Sequence, residues 1–520
     1  MKQMPCRFLA LFVALSLSAC SDSDNSRPPL ASKPQPDNPV VEGPITGGGS
    51  EDCCRISFGG FEVDLRDTGY TPGTPLYNAL SFDMAEVGYI ETEYFISGTA
   101  TSYLNTDELT ADGLWSIMSA DAAPYTSRIV VQRPIAPEDF NGTVVVEWFN
   151  VTGGIDAAPD WMQTHTELVR EGYAWVGVSA QFAGVEGGGA FDLPLKGVDS
   201  ERYGALSHPG DSFSYDIFSQ AAQAVRRPVG IDPLDGLAVQ RMIAVGQSQS
   251  AFRLTTYYNA IHPTLDLFDA YLIHSRSRYS AQLSQEPQVP VATPEVVLLR
   301  QDQPEPVIML QTETDLVKPS LDYLPARQAD SDSVRLWEVA GSSHSDAYTT
   351  IKGPDDKGDD PTVADVIATK SARPPFIECP LLPINDGPGH WLAKAAISAL
   401  DAWVRNGSAP SAAPRLQVDA EGTGFEQDEQ GNALGGIRGP YVDAPVAVLS
   451  GLGQGAGFCD LFGTTRLFDD AELAALYPDR DAYIAAIDEA TDAAVTAGFL
   501  LPADAQLIKS RARTSDIVPP

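Results

Sequence analysis

Short apolar strands alternate with amphipathic helices over much of the chain, and this alternation is the feature that most constrains the fold. The strand Thr143–Phe149 is bounded by Asn-Gly before it and by Gly153 and Gly154 after it. The helix Trp391–Val404 is strongly amphipathic and ends near Gly407. Further strands are predicted at 128–133, 173–179, 241–245, 270–273, 307–310 and 334–339, and further helices at 160–170, 213–225 and 250–261. Alternation at this spacing predicts an α/β fold with a mostly parallel central sheet flanked by helices.

Two long stretches fit no strand or helix of such a core. They span roughly residues 183–236 and 348–388. Ligand sites in open α/β sheets lie outside the carboxyl ends of the strands. We therefore expect the two stretches to be cap-like insertions that cover a pocket there.

The composition is that of a globular and acidic protein. The 520 residues include 34 Lys and Arg against 70 Asp and Glu, a formal net charge of -36, and 43% are hydrophobic. This apolar content is enough for a core, so the bulk of the chain is not disordered. The acidic excess argues against a protein that binds nucleic acid by neutralising phosphates, because like charges repel. It equally argues against adhesion to anionic lipid by charge alone.

The N-terminus is predicted to be a signal peptide over residues 1–19. Lys2 and Arg7 form a short basic region, and Phe8–Leu17 is an apolar run that is too short to span a bilayer. The sequence has no other apolar stretch of about 18 residues, so we expect no membrane-spanning helix.

The end of this segment, Leu17-Ser-Ala-Cys20, resembles the lipobox of bacterial lipoproteins. The resemblance implies that Cys20 becomes the lipidated first residue of the mature chain; an ordinary secretory signal cleaved nearby is the alternative. Ser21 follows, rather than the Asp that retains such proteins in the inner membrane, which implies an exported protein anchored at the outer membrane. Residues 20–52 are rich in Ser, Pro, Asp and Gly and are predicted to be a disordered tether, with the globular domain at 53–520.

Export changes the interpretation of the remaining cysteines, Cys53, Cys54, Cys379 and Cys459. Four thiols in an oxidising compartment predict two disulfides. We expect each bridge to join one of the adjacent cysteines to a distant one, because a direct Cys53–Cys54 bond closes a strained eight-membered ring. A metal site is the alternative, but no Cys-x-x-Cys or His-x-x-x-His spacing accompanies these cysteines.

The segment Gly246-Gln-Ser-Gln-Ser250 follows the strand 241–245 and opens a helix. Small residues allow a sharp turn there, and the turn exposes the hydroxyl of Ser248 beside the N-H donors of the helix N-terminus. The segment resembles the nucleophile elbow, Gly-x-Ser-x-Gly, of the α/β-hydrolase superfamily. Ser250 occupies the position of the last glycine, which leaves Ser250 as a rival nucleophile.

The resemblance implies an acid and then a histidine further along the chain. Asp315 follows the strand 307–310 and precedes Val317 and Pro319, as the acid does in this superfamily. Glu313 is the alternative acid. His344 follows the strand 334–339 through a Gly-containing turn, as the catalytic histidine does. The predicted triad is therefore Ser248, Asp315 and His344.

The other histidines have structural interpretations. His390 lies just before a helix and is the rival to His344, and His274 ends a strand and could line the pocket. The remaining three lie in a helix or beside prolines, and they are His165, His208 and His262.

The superfamily resemblance also implies an oxyanion hole, made by the backbone N-H groups of Gln249 and of Val151 or a neighbour of Val151. We predict no cofactor and no metal. The sequence has no Gly-rich phosphate loop and no dinucleotide fingerprint. The acidic loop Asp355–Asp360 lacks the alternating ligands of an EF-hand and is interpreted as a solvated surface loop.

The stretch 144–404 resembles an α/β-hydrolase core. Over about residues 55–515, the chain resembles a bacterial branch of this superfamily that has a Gly-x-Ser-Gln-Ser elbow. The resemblance implies a serine hydrolase that cleaves carboxylic esters through an acyl-enzyme. Its substrate would be a small-molecule ester. Two alternatives stay open: a catalytically inactive binding lipoprotein on the same fold, and an amidase or peptidase that uses the same triad.

Overall fold

A nine-stranded sheet lies at the centre of the computed structural model. The structure describes residues 33–49, 55–58, 61–64, 66, 70–77, 80–189, 192–366, 379–455 and 457–518. In sheet order, the strands are β1 (Val40–Glu42), β4 (Tyr89–Asn105), β5 (Ile117–Pro134), β7 (Ala174–Val178), β6 (Thr143–Trp148), β8 (Arg241–Gln247), β9 (Ala270–His274), β10 (Val307–Thr312) and β11 (Val334–Val339). Two small antiparallel sheets pair β2 (Arg55–Phe58) with β3 (Phe61–Asp64), and β12 (Ala447–Ser450) with β13 (Thr464–Leu467).

The sheet is parallel from β7 to β11, and β1, β4 and β5 are antiparallel strands at one edge. Strand β6 has β7 on one side and β8 on the other, so the winding of the chain reverses beside β6. Open α/β sheets bind ligands at such a switch point, at the carboxyl ends of the strands. The predicted fold class is therefore confirmed, and the topology points to the carboxyl ends of β6 and β8.

Helices cover both faces of the sheet. They are α1 (Pro159–Arg170), α2 (Phe182–Glu186), α3 (Leu195–Val198), α4 (Ser200–Tyr203), α5 (Ser214–Arg226), α6 (Gln249–Thr256), α7 (Glu313–Val317), α8 (Gly389–Asn406), α9 (Pro440–Asp443), α10 (Asp470–Leu476), α11 (Arg480–Ala497) and α12 (Pro502–Thr514). Helix α8 ends at Gly407, which adopts a left-handed conformation with φ of 71°, as its place after the amphipathic pattern predicts.

The two faces hold separate hydrophobic cores, because successive side chains of a strand point in opposite directions. On β6, Val144 and Val146 belong to the core that α5 and α6 cover, whereas Val145 packs in the core with α1 and α8. The ring of Phe218 on α5 lies 4.7 Å from that of Trp148 on β6. Helix α5 is thus part of the main core, and the predicted insertion at 183–236 is too wide.

The N-terminal limit of the folded unit also differs from the prediction. Strand β1 pairs with β4 in antiparallel register, from Val40 opposite Ser97 to Glu42 opposite Phe95. Residues 34–520 form one contact unit. The unit therefore begins before residue 53, because these few apolar residues add an edge strand despite their Pro- and Gly-rich surroundings.

The cysteine pairing is a correction as well. Cys379 and Cys459 form a disulfide, with their Cα atoms 5.4 Å apart. The prediction that each of them joins one of the adjacent cysteines is therefore wrong, because the fold brings two segments 80 residues apart into contact. Cys20, Cys53 and Cys54 lie outside the described residues.

Among the helices of the described residues, none combines the length and the apolar character that crossing a bilayer requires.

Candidate active site

Ser248 occupies a strained turn between β8 and α6. Its φ of 60° and ψ of -122° are a conformation that a non-glycine residue rarely adopts and that costs about 1–3 kcal/mol. The Ser248 N-H donates to the carbonyl of His274, at the end of the neighbouring strand β9, over 2.9 Å. Gly246 permits this turn, because an added Cβ would lie 3.0 Å from the Cβ of Ser250.

The two serines of the elbow differ in their surroundings. Ser250 is fully buried, and its hydroxyl has no hydrogen-bond partner among the described residues. Ser248 is partly exposed, and its Oγ lies 2.9 Å from Nε2 of His344. The structure therefore joins Ser248, and not the rival Ser250, to the predicted base.

His344 links the elbow to the predicted acid. It lies on the loop after β11, and its Nδ1 is 2.6 Å from Oδ1 of Asp315. The other carboxylate oxygen of Asp315 accepts the backbone N-H of Thr312 over 2.7 Å, within a capping box at the start of α7. The side-chain amide of Gln247 donates to the His344 carbonyl over 2.9 Å, so the elbow also holds the histidine loop. Asp315 is fully buried, so its hydrogen bond to the imidazole is shielded from bulk water.

Glu313, the alternative acid, has different partners. Its two carboxylate oxygens accept the backbone N-H groups of Gly341 and Gly451, over 2.6 Å and 2.8 Å. Burial raises the pKa of Glu313 to about 7, although these N-H donors oppose the rise. The geometry thus pairs His344 with Asp315 and leaves Glu313 as a link between two loops.

The predicted oxyanion donors lie on two elements that meet at the elbow. Gln249 is the first residue of α6, so its N-H has no acceptor within the helix. Val151 lies on the loop after β6, and Asn150 ties this loop to the elbow through a 3.0 Å hydrogen bond to the Gln247 carbonyl. The loop turns back through a hydrogen bond from the Gly154 N-H to the Val151 carbonyl, over 2.9 Å.

The rival His390 lies in a different environment. Its ring stacks on Tyr348 at 3.6 Å, and neither ring nitrogen has a hydrogen-bond partner within the described part of the chain. Burial, together with the nearby Lys394 ammonium, lowers the pKa of His390 well below its ordinary value. His390 is thus a buried residue of the core, packed against Tyr348.

His274 has a partner that the sequence analysis did not find. Its Nδ1 lies 2.8 Å from a carboxylate oxygen of Asp160, near the start of α1. Asp160 is the second residue of α1, after Pro159. The Asp160 N-H in turn donates to the buried Glu147 on β6, whose pKa burial and the Asp160 charge raise. No local sequence pattern predicts this pair, because the two residues lie 114 positions apart in the chain.

In the acidic loop 355–360, Asp356 is buried, whereas Asp355, Asp359 and Asp360 are exposed. Asp356 accepts the Tyr348 hydroxyl over 2.8 Å, and Asp360 caps a short helix through the Thr362 N-H. Among the described residues, no group of three or more His, Cys, Asp or Glu side chains has an arrangement that could hold a metal ion.

A comparison with known protein families agrees with this architecture. The model of a family described as "Alpha/beta hydrolase domain" matches residues 41–510. No curated protein matches the chain.

Two solved structures are similar over part of the chain. One is a rice cell wall degrading esterase, LipA, from Xanthomonas oryzae, at 12% identity and a TM-score of 0.20; the match covers 36% of this chain and 43% of that one. The other is a putative dienelactone hydrolase from Klebsiella pneumoniae, at 11% identity and a TM-score of 0.23, covering 47% of this chain and 85% of that one. The match thus spans less than half of the length of the Xanthomonas esterase.

Proposed function

This chain belongs to the α/β-hydrolase domain family, and we propose that it is a serine hydrolase that cleaves carboxylic esters through an acyl-enzyme. The observation that carries the proposal is the continuous hydrogen-bonded chain from the Ser248 hydroxyl through His344 to Asp315. Nucleophile, base and orienting acid lie within hydrogen-bond reach of one another, as nucleophilic catalysis by serine requires.

In the acylation half of the proposed reaction, Nε2 of His344 takes the hydroxyl proton as the Ser248 oxygen attacks the ester carbonyl carbon. Asp315 holds the proton of Nδ1 and stabilises the imidazolium that forms. The N-H groups of Gln249 and Val151 then donate to the oxyanion of the tetrahedral intermediate. The C-O bond to the alcohol breaks, and the alcohol leaves with the proton from His344.

In the deacylation half, His344 takes a proton from water, and the resulting hydroxide attacks the acyl carbon. The bond from that carbon to the Ser248 oxygen breaks, and His344 returns the proton to the serine. The free carboxylic acid leaves, and the enzyme regains its starting state.

Aryl ester turnover by purified wild type, Ser248→Ala and Ser250→Ala tests the proposal. We expect wild type to release a burst of aryl alcohol before the steady state, and a phosphonate probe to label Ser248. Ser248→Ala should lose nearly all turnover, to a level about 10⁶-fold below wild type. Ser250→Ala should still show the burst.

The outcomes also separate the alternative functions. An anilide that is cleaved at least as fast as the ester of the same acid would replace the esterase proposal with an amidase. Properly folded wild type with neither burst nor label would favour the inactive binding protein. A label on Ser250 would identify Ser250, and not Ser248, as the nucleophile.

We further propose that the chain is exported and lipid-anchored through Cys20, on the basis of the segment Leu17–Cys20. Mass spectrometry of the N-terminal peptide of the native protein tests this. A diacylglycerol-modified Cys20 at the first position supports the anchor, and a mature chain that starts elsewhere without acyl groups contradicts it.

A further inference from the structure

The turn after β10 contacts the histidine loop through more than the Asp315 carboxylate. The hydroxyl of Thr314 accepts the backbone N-H of His344 over 3.1 Å. The N-H of Glu313 donates to the carbonyl of Ser342 over 3.2 Å. The two residues that precede Asp315 thus bind the backbone of the loop that carries His344.

A third segment, the turn after β12, binds the same two residues. The Gly451 N-H donates to one Glu313 carboxylate oxygen over 2.8 Å, and the other oxygen accepts the Gly341 N-H at the start of the histidine loop. The Thr314 hydroxyl donates to the Gly451 carbonyl over 2.7 Å. Gly451, which lies more than 100 residues after His344 in the chain, therefore completes the support of that residue's loop.

The packing requires glycine at position 451. An added Cβ would lie 2.5 Å from the Ser342 carbonyl oxygen and 2.7 Å from the Cβ of Glu313. These distances are shorter than real Cβ contacts, so a side chain at position 451 would force one of the neighbouring segments to shift. The hydroxyl of Thr314 and the carboxylate of Glu313 are buried. The hydroxyl donates one hydrogen bond and accepts another within this junction, and each carboxylate oxygen accepts a backbone N-H there.

We propose that Glu313, Thr314 and Gly451 form a clamp that positions His344 against Ser248. The clamp acts through the backbone of the histidine loop and touches no reacting atom, so its members are positioning residues. The inference rests on the proposed function, because it concerns the base of that reaction. It adds the turn after β12 to the parts of the chain on which turnover depends.

Substitutions at Thr314 and Glu313 test the clamp. Thr314→Val keeps the shape but removes the acceptor for the His344 N-H and the donor to Gly451, whereas Thr314→Ser keeps both. In Glu313→Gln, the amide NH₂ must face one of the two N-H donors. Because a displacement of about 1 Å can cost about 100-fold in rate, we expect Thr314→Val and Glu313→Gln to lower kcat by about 10- to 100-fold, with little change in KM. Thr314→Ser should stay within about threefold of wild type.

Asp401→Asn is the matched control. Asp401 is a buried carboxylate that accepts hydrogen bonds from Thr143 and Arg241, at the opposite end of β6 and β8 from Ser248. The thermal unfolding midpoint of each variant is measured beside its kcat. We expect Asp401→Asn to lower the midpoint without lowering kcat, whereas the clamp variants lower kcat at temperatures where they are fully folded.

Equal kcat values for Thr314→Val and Thr314→Ser would overturn the clamp, as would a kcat loss in Asp401→Asn as large as those of the clamp variants. If Glu313→Gln does not fold, the two Thr314 variants decide alone, since they differ from wild type by no charge. Failure of the proposed function looks different: wild type itself would then neither hydrolyse esters nor react with the phosphonate at Ser248.

Discussion

Replacing Asp315 with asparagine should lower kcat by about 10⁴-fold and leave KM nearly unchanged. The two carboxylate oxygens of Asp315 have different partners, His344 Nδ1 at 2.6 Å and the Thr312 N-H at 2.7 Å. A backbone N-H can only donate, so the amide oxygen of the asparagine must face Thr312. The amide NH₂ then faces Nδ1 of His344.

This orientation forces the wrong tautomer on the histidine. Nδ1 must accept from the NH₂ group, so the imidazole proton moves to Nε2, which lies 2.9 Å from the Ser248 hydroxyl. A protonated Nε2 cannot take the serine proton, and the imidazolium also loses its stabilising negative charge. A 10⁴-fold loss corresponds to about 5.5 kcal/mol of transition-state stabilisation.

Steady-state hydrolysis of an aryl ester by wild type, Asp315→Asn and Glu313→Gln measures this effect. The near-isosteric glutamine variant removes the neighbouring titratable carboxyl group but leaves the Asp315–His344 contact, so its loss of kcat should be at least tenfold smaller than that of Asp315→Asn. Folding of each variant is checked by thermal unfolding. If Asp315→Asn keeps more than about a tenth of the wild-type kcat while Glu313→Gln is crippled, then Glu313 is the orienting acid and the tautomer argument fails.

Three further expectations follow from the packing and the charges. Gly246→Ala should lower the free energy of unfolding by about 1–3 kcal/mol, because its Cβ would press on Ser250 at 3.0 Å; urea unfolding at an unchanged midpoint would contradict the contact. Cys379→Ser should cost about 4.5 kcal/mol in the chain-entropy model, since the disulfide to Cys459 closes a loop with a sequence separation of 80; equal urea midpoints for the variant and the oxidised wild type would refute this. The raised pKa of Glu313, about 7, means that its stabilising contribution is complete below the unfolded value near 4.5 and is lost as the pH rises through 7. Relative to Glu313→Gln, wild type should therefore lose about 3 kcal/mol of unfolding free energy between pH 4.5 and pH 8, and a pH-independent difference would show that this group titrates normally.

The regular part of the fold could be predicted from the sequence because its signals are local. The buried parallel strands are short apolar runs, and β11 begins and ends at the predicted residues, 334 and 339. The long hairpin of β4 and β5 was largely missed. The first part of β5, over 117–124, is mostly exposed and rich in alanine, so no alternation of apolar and polar residues marks it as a strand.

In the candidate site, too, some features could be predicted from local sequence and others depend on the fold. The turn at Ser248 is encoded by its own small residues between a strand and a helix, and the order of serine, acid and histidine could be predicted from single loops. The choice of Asp315 over Glu313 depended only on the superfamily resemblance, because the two carboxylates are two residues apart and similarly close to His344 in the sequence. The capping box at Thr312 and the Gly451 N-H decide it, by directing one carboxylate to the imidazole and the other to the backbone.

The sequence by itself therefore determined the layers of the fold, the elbow and the candidate residues, since each depends on interactions within a few residues of chain. Only the tertiary structure decided the pairing of Cys379 with Cys459, the bond between His274 and Asp160, and the support of His344 by Gly451. Those contacts join segments 80 to more than 100 residues apart. Their partners are chosen by how the helices and loops close around the sheet, and no local pattern carries that information.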